Sequence, residues 1–307
     1  MTRWYEPLAM IRLLLQIRAV TRMADAREHP SDQPPMVFDF GDISGPFWFD
    51  YVADLGDAFD PTMAVAWWLA RDRLLADADE VPSAGLERGP LLIMGGDEVY
   101  PYPSADRYRN QLFGPYEVAM EGNPRELLTI PGNHDWYDNL DDFSRLVCDV
   151  DGQGELRTPQ PSPWFSARLP HGWTVWGIDT GLDGTVNERQ REYFAAHGAE
   201  LEPGVDQLIV CSPVPWWRLR EKRAPGGGFD DELAVLEDLL DDVLPEGVPV
   251  RLCLAGDTHI YAHYRTKSVR RDHVPVHHIT SGGGGAFLHP THNLAPQVPQ
   301  ATEEDPW

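Results

Sequence analysis

Carboxylates and imidazoles recur just beyond apolar runs in this sequence. "FWFDYVADLGD" places Asp54 and Asp57 after such a run, and "GPLLIMGGDEVYP" places Asp97 after another. "LLTIPGNHDWYD" delivers Asn133, His134 and Asp135, and "RLCLAGDTHIY" delivers Asp257 and His259. A fifth run, "QLIVCSPVPWW", ends in Ser212. A charge at the mouth of a buried strand is costly unless something pairs with it. Carboxylate, amide oxygen and imidazole together form a ligand set for Mn, Fe or Zn. A carboxylate can bridge two ions, two ions can clamp both oxygens of a phosphoryl displacement, and a neighbouring histidine can protonate the leaving oxygen.

The elements that must position these groups are strands that end at one place. Apolar runs at 47–54, 90–95, 126–131, 173–179, 206–211, 249–255 and 275–280 read as strands, and 61–79, 104–120, 187–197 and 230–243 read as helices. Asn187 and Asp230 stand as caps of the last two helices. Near-regular alternation predicts an α/β fold, and ligands of open α/β sheets sit beyond the carboxyl ends of the strands. "WFSARLP" and "GWTVWGID" are separated only by Pro170–Gly172, so they pair antiparallel and the sheet is mixed. Residues 139–165 show little periodicity and read as a long loop or insertion over the site.

The order of blocks "DLG … GDEVY … GNHD … GDTH" resembles the calcineurin-like metallophosphoesterase superfamily over residues 50–290. There the blocks run D-x-H, G-D, G-N-H-[DE], a lone His and G-H-x-H. The resemblance implies layered mixed β-sheets flanked by helices in a four-layer sandwich, two metal ions (Mn, Fe or Zn) and hydrolysis of a phosphomonoester or phosphodiester. It implies that Asp54 and His259 hold the first metal, Asp97 bridges, Asn133 holds the second, His134 is the acid near the leaving group and Asp135 orients His134. Within the superfamily the chain looks most like a bacterial group with "GGDEVYP", "GNHDWYD" and "GGGGAFLHPTH".

Three positions depart from the pattern. Gly56 replaces the first-block His, as in purple acid phosphatases, where a tyrosine three residues after the bridging Asp binds iron. Tyr100 has that spacing, so it is either a phenolate ligand or an aromatic packed after a strand; Asp57 is the rival for the vacant position. Asp257 replaces the first His of the last block and can still bind a metal as a carboxylate. Ser212 stands where the lone His belongs, and neutral serine is a poor ligand. These departures support a second reading, a non-catalytic binding or scaffold module with a degenerate second metal site.

In "SGGGGAFLHPTH" the glycines permit a close backbone approach, either to a phosphate or in a tight crossing beside the site. His289 and His292 are candidates for the substrate pocket, as are Trp136, Tyr137, Trp216 and Trp217, with surface or core roles as the alternative for each.

The 307 residues are 42% hydrophobic with eleven Trp, a globular composition. Net charge is −24, which makes nucleic acid an unfavourable partner. Cys148, Cys211 and Cys253 form no CxxC pair and read as free thiols of a reducing compartment. No apolar run reaches the ~18 residues of a membrane span, and no signal peptide stands out, so a cytoplasmic location is expected. Residues 4–28 read as a basic amphipathic helix that docks on its own domain or on a membrane or protein partner. The expected division is 1–35 (helix and linker), 36–292 (the domain) and 293–307 (tail), and a phosphorylated small molecule is the expected substrate.

Overall fold

The computed structural model describes residues 37–75, 85–148, 154–182, 184–218, 231–265 and 275–290, with Gly152 and isolated positions between 7 and 18. Two sheets face each other. The first runs β1 (Val37–Asp39), β8 (Phe165–Leu169), β9 (Trp173–Gly177), β10 (Gln207–Ser212), β11 (Val250–Ala255), β13 (His277–Ser281) and β12 (Tyr261–Arg265) in spatial order. The second runs β2 (Phe49–Val52), β5 (Leu91–Met94), β6 (Arg125–Thr129) and β7 (Leu156–Arg157), all parallel. The larger sheet is mixed: β8/β9 and β13/β12 are antiparallel, and β9, β10, β11 and β13 run parallel.

β5 shows why the sequence folds this way. All four of its residues are buried, as a parallel strand covered on both faces requires. Side chains alternate between faces. Leu91 and Ile93 therefore enter the core between the sheets, with Leu128, Phe165, Ile209 and Cys211. Leu92 and Met94 turn outward to Leu112, Tyr116, Phe143 and Val147. Beyond the larger sheet, Phe194, Leu236, Leu239 and Leu240 from helices Glu188–Gly198 and Asp231–Val243 close a third core with Trp176 and Val210. Each fully buried aliphatic side chain contributes about 1.5–3 kcal/mol. The result is four layers, helix, sheet, sheet and helix, so the expected layered α/β sandwich is what the chain forms. At the amino ends of the small sheet, the buried Arg125 guanidinium ties β6 to Asp50 of β2 and to the Leu91 carbonyl.

Local rules hold at several ends. Asn187 Oδ1 accepts the Gln190 N–H at 2.9 Å, capping its helix. The β8–β9 turn puts His171 (φ 65°) and Gly172 (φ 73°) in left-handed backbone, the signature of a tight hairpin. Asp230 lies outside the described residues.

Two expectations need correction. The helix expected over 61–79 is Phe59–Leu69; β3 (Arg73–Leu74) then pairs antiparallel with β4 (Leu86–Glu87), and Arg73 meets Glu87 at 2.7 Å. Cross-strand pairing overrides the helix-forming composition there. The segment 139–165 is largely ordered structure: Asp141–Phe143 and Ser144–Cys148 are helical because Phe143, Leu146 and Val147 bury against the small sheet, and β7 adds its fourth strand.

Of the amino-terminal helix, 10, 11, 13–15, 17 and 18 are described as helical, with Leu13 buried and Ile11, Leu14 and Leu15 exposed. No helix among the described residues is long and apolar enough to cross a membrane. Cys211 and Cys253 are buried free thiols.

Candidate metal centre

The site forms where β2, β5, β6, β10 and β11 end. The chain leaving β2 and the chain leaving β5 continue side by side past their strands: Asp54 N–H donates to Gly96 O, Leu55 N–H to Asp97 O, Gly56 N–H to Glu98 O and Tyr100 N–H to Gly56 O, at 2.9–3.1 Å. Gly56 and Val99 form one further bridge. This pairing carries Asp54, Asp97 and Tyr100 to one point. Asp54 (φ 61°), Asp97 (φ 57°), Asp257 (φ 65°) and His259 (φ 45°) all take left-handed backbone.

Asp54, Asp97 and His259 are buried and offer ligand atoms within 4.8 Å of one another. The Tyr100 hydroxyl lies among them, 3.0 Å from Asp54 Oδ1, 2.9 Å from Asp97 Oδ2 and 2.9 Å from His259 Nε2. Asp54 Oδ2 is buried with no hydrogen-bond partner among the described residues. Burial, then the Asp97 and Asp257 charges, push the Asp54 carboxyl well above the usual range. Burial raises Asp97 as well, against the attraction of His134. Burial, then the Asp97 and Asp54 carboxylates, raise the Tyr100 phenol, and burial lowers His259. A cation at this point would reverse the three raised acids, and it would reinforce the lowered basicity that leaves His259 neutral and able to ligate. An orphaned buried carboxylate oxygen, a second buried carboxylate, an imidazole nitrogen and a phenol form a donor set that fits a metal ion.

Backbone atoms aim these side chains. His259 Nδ1 lies 2.6 Å from Phe287 O, which leaves Nε2 toward Tyr100. The glycine run is the crossing that aligns it. Gly284 N–H donates to Ala53 O, Ala286 N–H to Asp54 O and His289 N–H to His259 O. A Cβ on Gly282 would come within 2.2 Å of Asp54 Oδ2, and one on Gly132 within 2.1 Å of Asp97 Oδ1. Glycine is required where backbone packs directly on the carboxylates. A Cβ on Gly56 would meet Glu98 O at 2.4 Å, so the position excludes histidine and every other side chain.

The remaining candidates fall as follows. His134 is half-buried; its N–H donates to Asp97 Oδ1 at 2.9 Å, and its Nδ1 lies 2.8 Å from Pro101 O. The Tyr100 and His134 rings are 4.4 Å apart. Asp135 accepts from Glu98 N–H, Gly132 N–H and the Tyr108 hydroxyl (2.5 Å), so its carboxylate fastens the loops, while the Pro101 carbonyl faces the His134 ring nitrogen. Asn133 Nδ2 donates to the Tyr137 hydroxyl at 2.7 Å, and Tyr137 packs on His134. Asp257 is exposed; its N–H reaches Asp54 Oδ1 at 3.2 Å. Ser212 Oγ donates to Val214 O within its own loop. Asp57 is buried outside the group of three. His289 is exposed, its ring 5.0 Å from that of His259. His292 lies outside the described residues. Trp136, Trp216 and Trp217 are buried in the cores. The carbonyls of Pro101 and Phe287 escape sequence reasoning because backbone oxygens carry no residue signature. Glu98, buried beside Asp97, was visible as the third letter of "GDE".

No family model matches the sequence, and no curated protein matches it. Among solved structures, the chain is similar to a dimetal phosphatase from Danio rerio at 12% identity and a TM-score of 0.45, over 78% of this chain and 88% of that one. It is similar to PhoD at 10% identity and a TM-score of 0.40, over 74% of this chain and 53% of that one. Likeness at this level carries no functional information.

Proposed function

We propose that the protein is a metal-dependent phosphoric ester hydrolase of the metallophosphoesterase type. The observation that carries this reading is the Tyr100 hydroxyl held between Asp54, Asp97 and His259, with Asp54 Oδ2 buried and without a hydrogen-bond partner among the described residues. Asp54, Asp97, His259 and Tyr100 would hold one ion, and Asp97 and Asn133 would hold a second. A bound Mn, Fe or Zn supplies Lewis acidity toward phosphoryl oxygens and a water acidic enough to attack at neutral pH.

The chain's own residues do the rest. Pro101 O fixes the tautomer of His134 by accepting from Nδ1–H, which leaves Nε2 as the atom that exchanges a proton with the leaving oxygen. Asp97 Oδ1 accepts the His134 backbone N–H and so holds the residue beside the candidate metal centre. Asp135, by fastening Gly132 and Glu98, holds the loop that presents His134. Tyr137 and Tyr100 pack on the ring and limit its rotation.

A specific observation favours a second reading, a metal-binding module without turnover. Ser212 bonds within its own loop and Asp257 is exposed, so protein ligands around a second ion are sparse. Two measurements separate the readings: metal content per chain on protein purified without chelator, and phosphoester hydrolysis by the parent and His134→Ala. The hydrolase reading expects bound metal in both proteins, turnover in the parent, and a loss of about 100-fold or more in the variant with its fold intact. Metal with no turnover on any phosphoester selects the second reading, and equal turnover in parent and variant removes His134 from the mechanism.

A further inference from the structure

The loop after β10, where Ser212 offers no ligand, carries a cation instead. Ser212 Oγ donates to Val214 O at 3.0 Å, and Gly256 N–H reaches Pro213 O at 3.3 Å, which ties this loop to the one that delivers Asp257 and His259. Residues 216–218 then make one tight helical turn, with Trp216 N–H on Val214 O and Arg218 N–H on Pro215 O, both at 2.9 Å. Trp216 and Trp217 bury their rings edge-to-face and anchor that turn in the core. Arg218 is thereby fixed at its backbone. Its Nη1 donates to the Thr258 hydroxyl at 3.3 Å, between Asp257 and His259 in sequence, and its Nε is buried with no partner among the described residues. Among the described residues, Arg73, Arg125, Arg145, Arg157, Arg168 and Arg191 each stand within 4.0 Å of a carboxylate, whereas Arg218, like Arg88 and Arg107, is held by neutral oxygens. In a chain of net charge −24, a guanidinium anchored beside the metal centre on a hydroxyl is a built feature.

We propose that Arg218 is a substrate-binding residue that engages the non-bridging oxygens of a dianionic phosphoryl group, and that the substrate class is the phosphomonoester. A guanidinium presents a planar fork of donors that matches two phosphate oxygens, and its fixed charge favours the doubly charged monoester over a singly charged diester. Thr258 holds the fork in place while leaving most of its N–H groups for the ligand. This assignment rests on the hydrolase reading above, because it supplies the anion that reading needs.

The test compares the parent, Arg218→Ala, Arg218→Lys and Thr258→Val, each loaded with Mn, on p-nitrophenyl phosphate and bis(p-nitrophenyl) phosphate, with phosphate binding followed by calorimetry. Arg218→Ala is expected to lower kcat/KM on the monoester at least ~30-fold and on the diester no more than ~3-fold, and to weaken phosphate binding at least ~10-fold. Lysine should recover part of the loss, and Thr258→Val should raise KM on the monoester with a smaller change in kcat. Equal losses on both esters, or none, overturn the assignment while leaving the hydrolase reading standing. Failure of the parent to hydrolyse either ester overturns the assignment together with the hydrolase reading on which it rests, and unchanged phosphate binding in Arg218→Ala overturns the assignment alone.

Discussion

Gly56 stands where the sequence pattern that this chain resembles has a histidine, which invites an attempt to place one there. The structure predicts that any side chain there damages the fold before it can touch a metal. A Cβ at 56 would lie 2.4 Å from Glu98 O and 3.1 Å from Val99 Cγ1, about 1 Å short of ordinary contact with the carbonyl. That carbonyl cannot turn away cheaply, because it accepts the Gly56 N–H at 3.0 Å, while Gly56 O accepts the Tyr100 N–H at 3.1 Å. Relieving the overlap therefore means parting the two loops. Overpacking costs roughly 1–3 kcal/mol. Each lost backbone hydrogen bond adds about 0.5–1.5 kcal/mol, so two of them bring the sum to roughly 2–6 kcal/mol. A typical domain has about 5–15 kcal/mol in total. Gly56→Ala isolates this effect, since alanine adds the Cβ and nothing else. Denaturant unfolding of parent and variant, in chelator so that metal linkage drops out, should show the variant less stable by that amount. Gly56→His should fare no better. A variant Gly56→Ala with the parent's midpoint and slope, or a Gly56→His protein that folds normally and gains metal affinity, would refute the reasoning.

Tyr100→Phe removes the hydroxyl shared by Asp54, Asp97 and His259. Losing one charge-assisted bond of about 1.5–3 kcal/mol should weaken metal binding roughly 10–100-fold by equilibrium dialysis, and any visible charge-transfer band of an iron-loaded sample should vanish; unchanged affinity would return Tyr100 to a packing role. Burial pushes Asp138 up to about 7. Folded protein thus keeps a proton that unfolded chain loses near pH 4, and the associated stability disappears as pH rises through 7. Asp138→Asn should gain on the parent between pH 4 and pH 8, by on the order of 1–2 kcal/mol after screening, while its bond from the Asp142 N–H survives; unfolding curves that stay parallel across that range would show the carboxyl titrates normally.

The sequence makes the strand ends legible because parallel strands buried on both faces must be continuous apolar runs, as in "LLIM", and because a carboxylate just beyond them has no inexpensive structural use. Asp54, Asp97 and His259 could therefore be placed together without coordinates. The role of Asp257 was less legible: a carboxylate two residues before a histidine in "GDTH" says nothing of which way it faces, and here it faces solvent. The four glycines read equally as a phosphate loop or a crossing, since both need the same missing Cβ; only the bonds to Ala53 O and Asp54 O separate them. Arg218 gave no signal at all. Its place depends on two buried tryptophans and on a hydroxyl forty residues further along the chain.

The left-handed backbone at Asp54, Asp97, Asp257 and His259 has a consequence for how this protein can be improved. Non-glycine residues in that conformation cost roughly 1 kcal/mol or more each. Glycine would sit there without strain, yet the chain keeps three acids and an imidazole. A search for hardier variants would be drawn first to these four positions, and a gain at Asp54, Asp97 or His259 would be taken from the candidate metal centre. Thermal robustness and chemistry are thus in direct conflict at the ends of β2, β5 and β11, and a library that spares those loops is the one in which both can rise together.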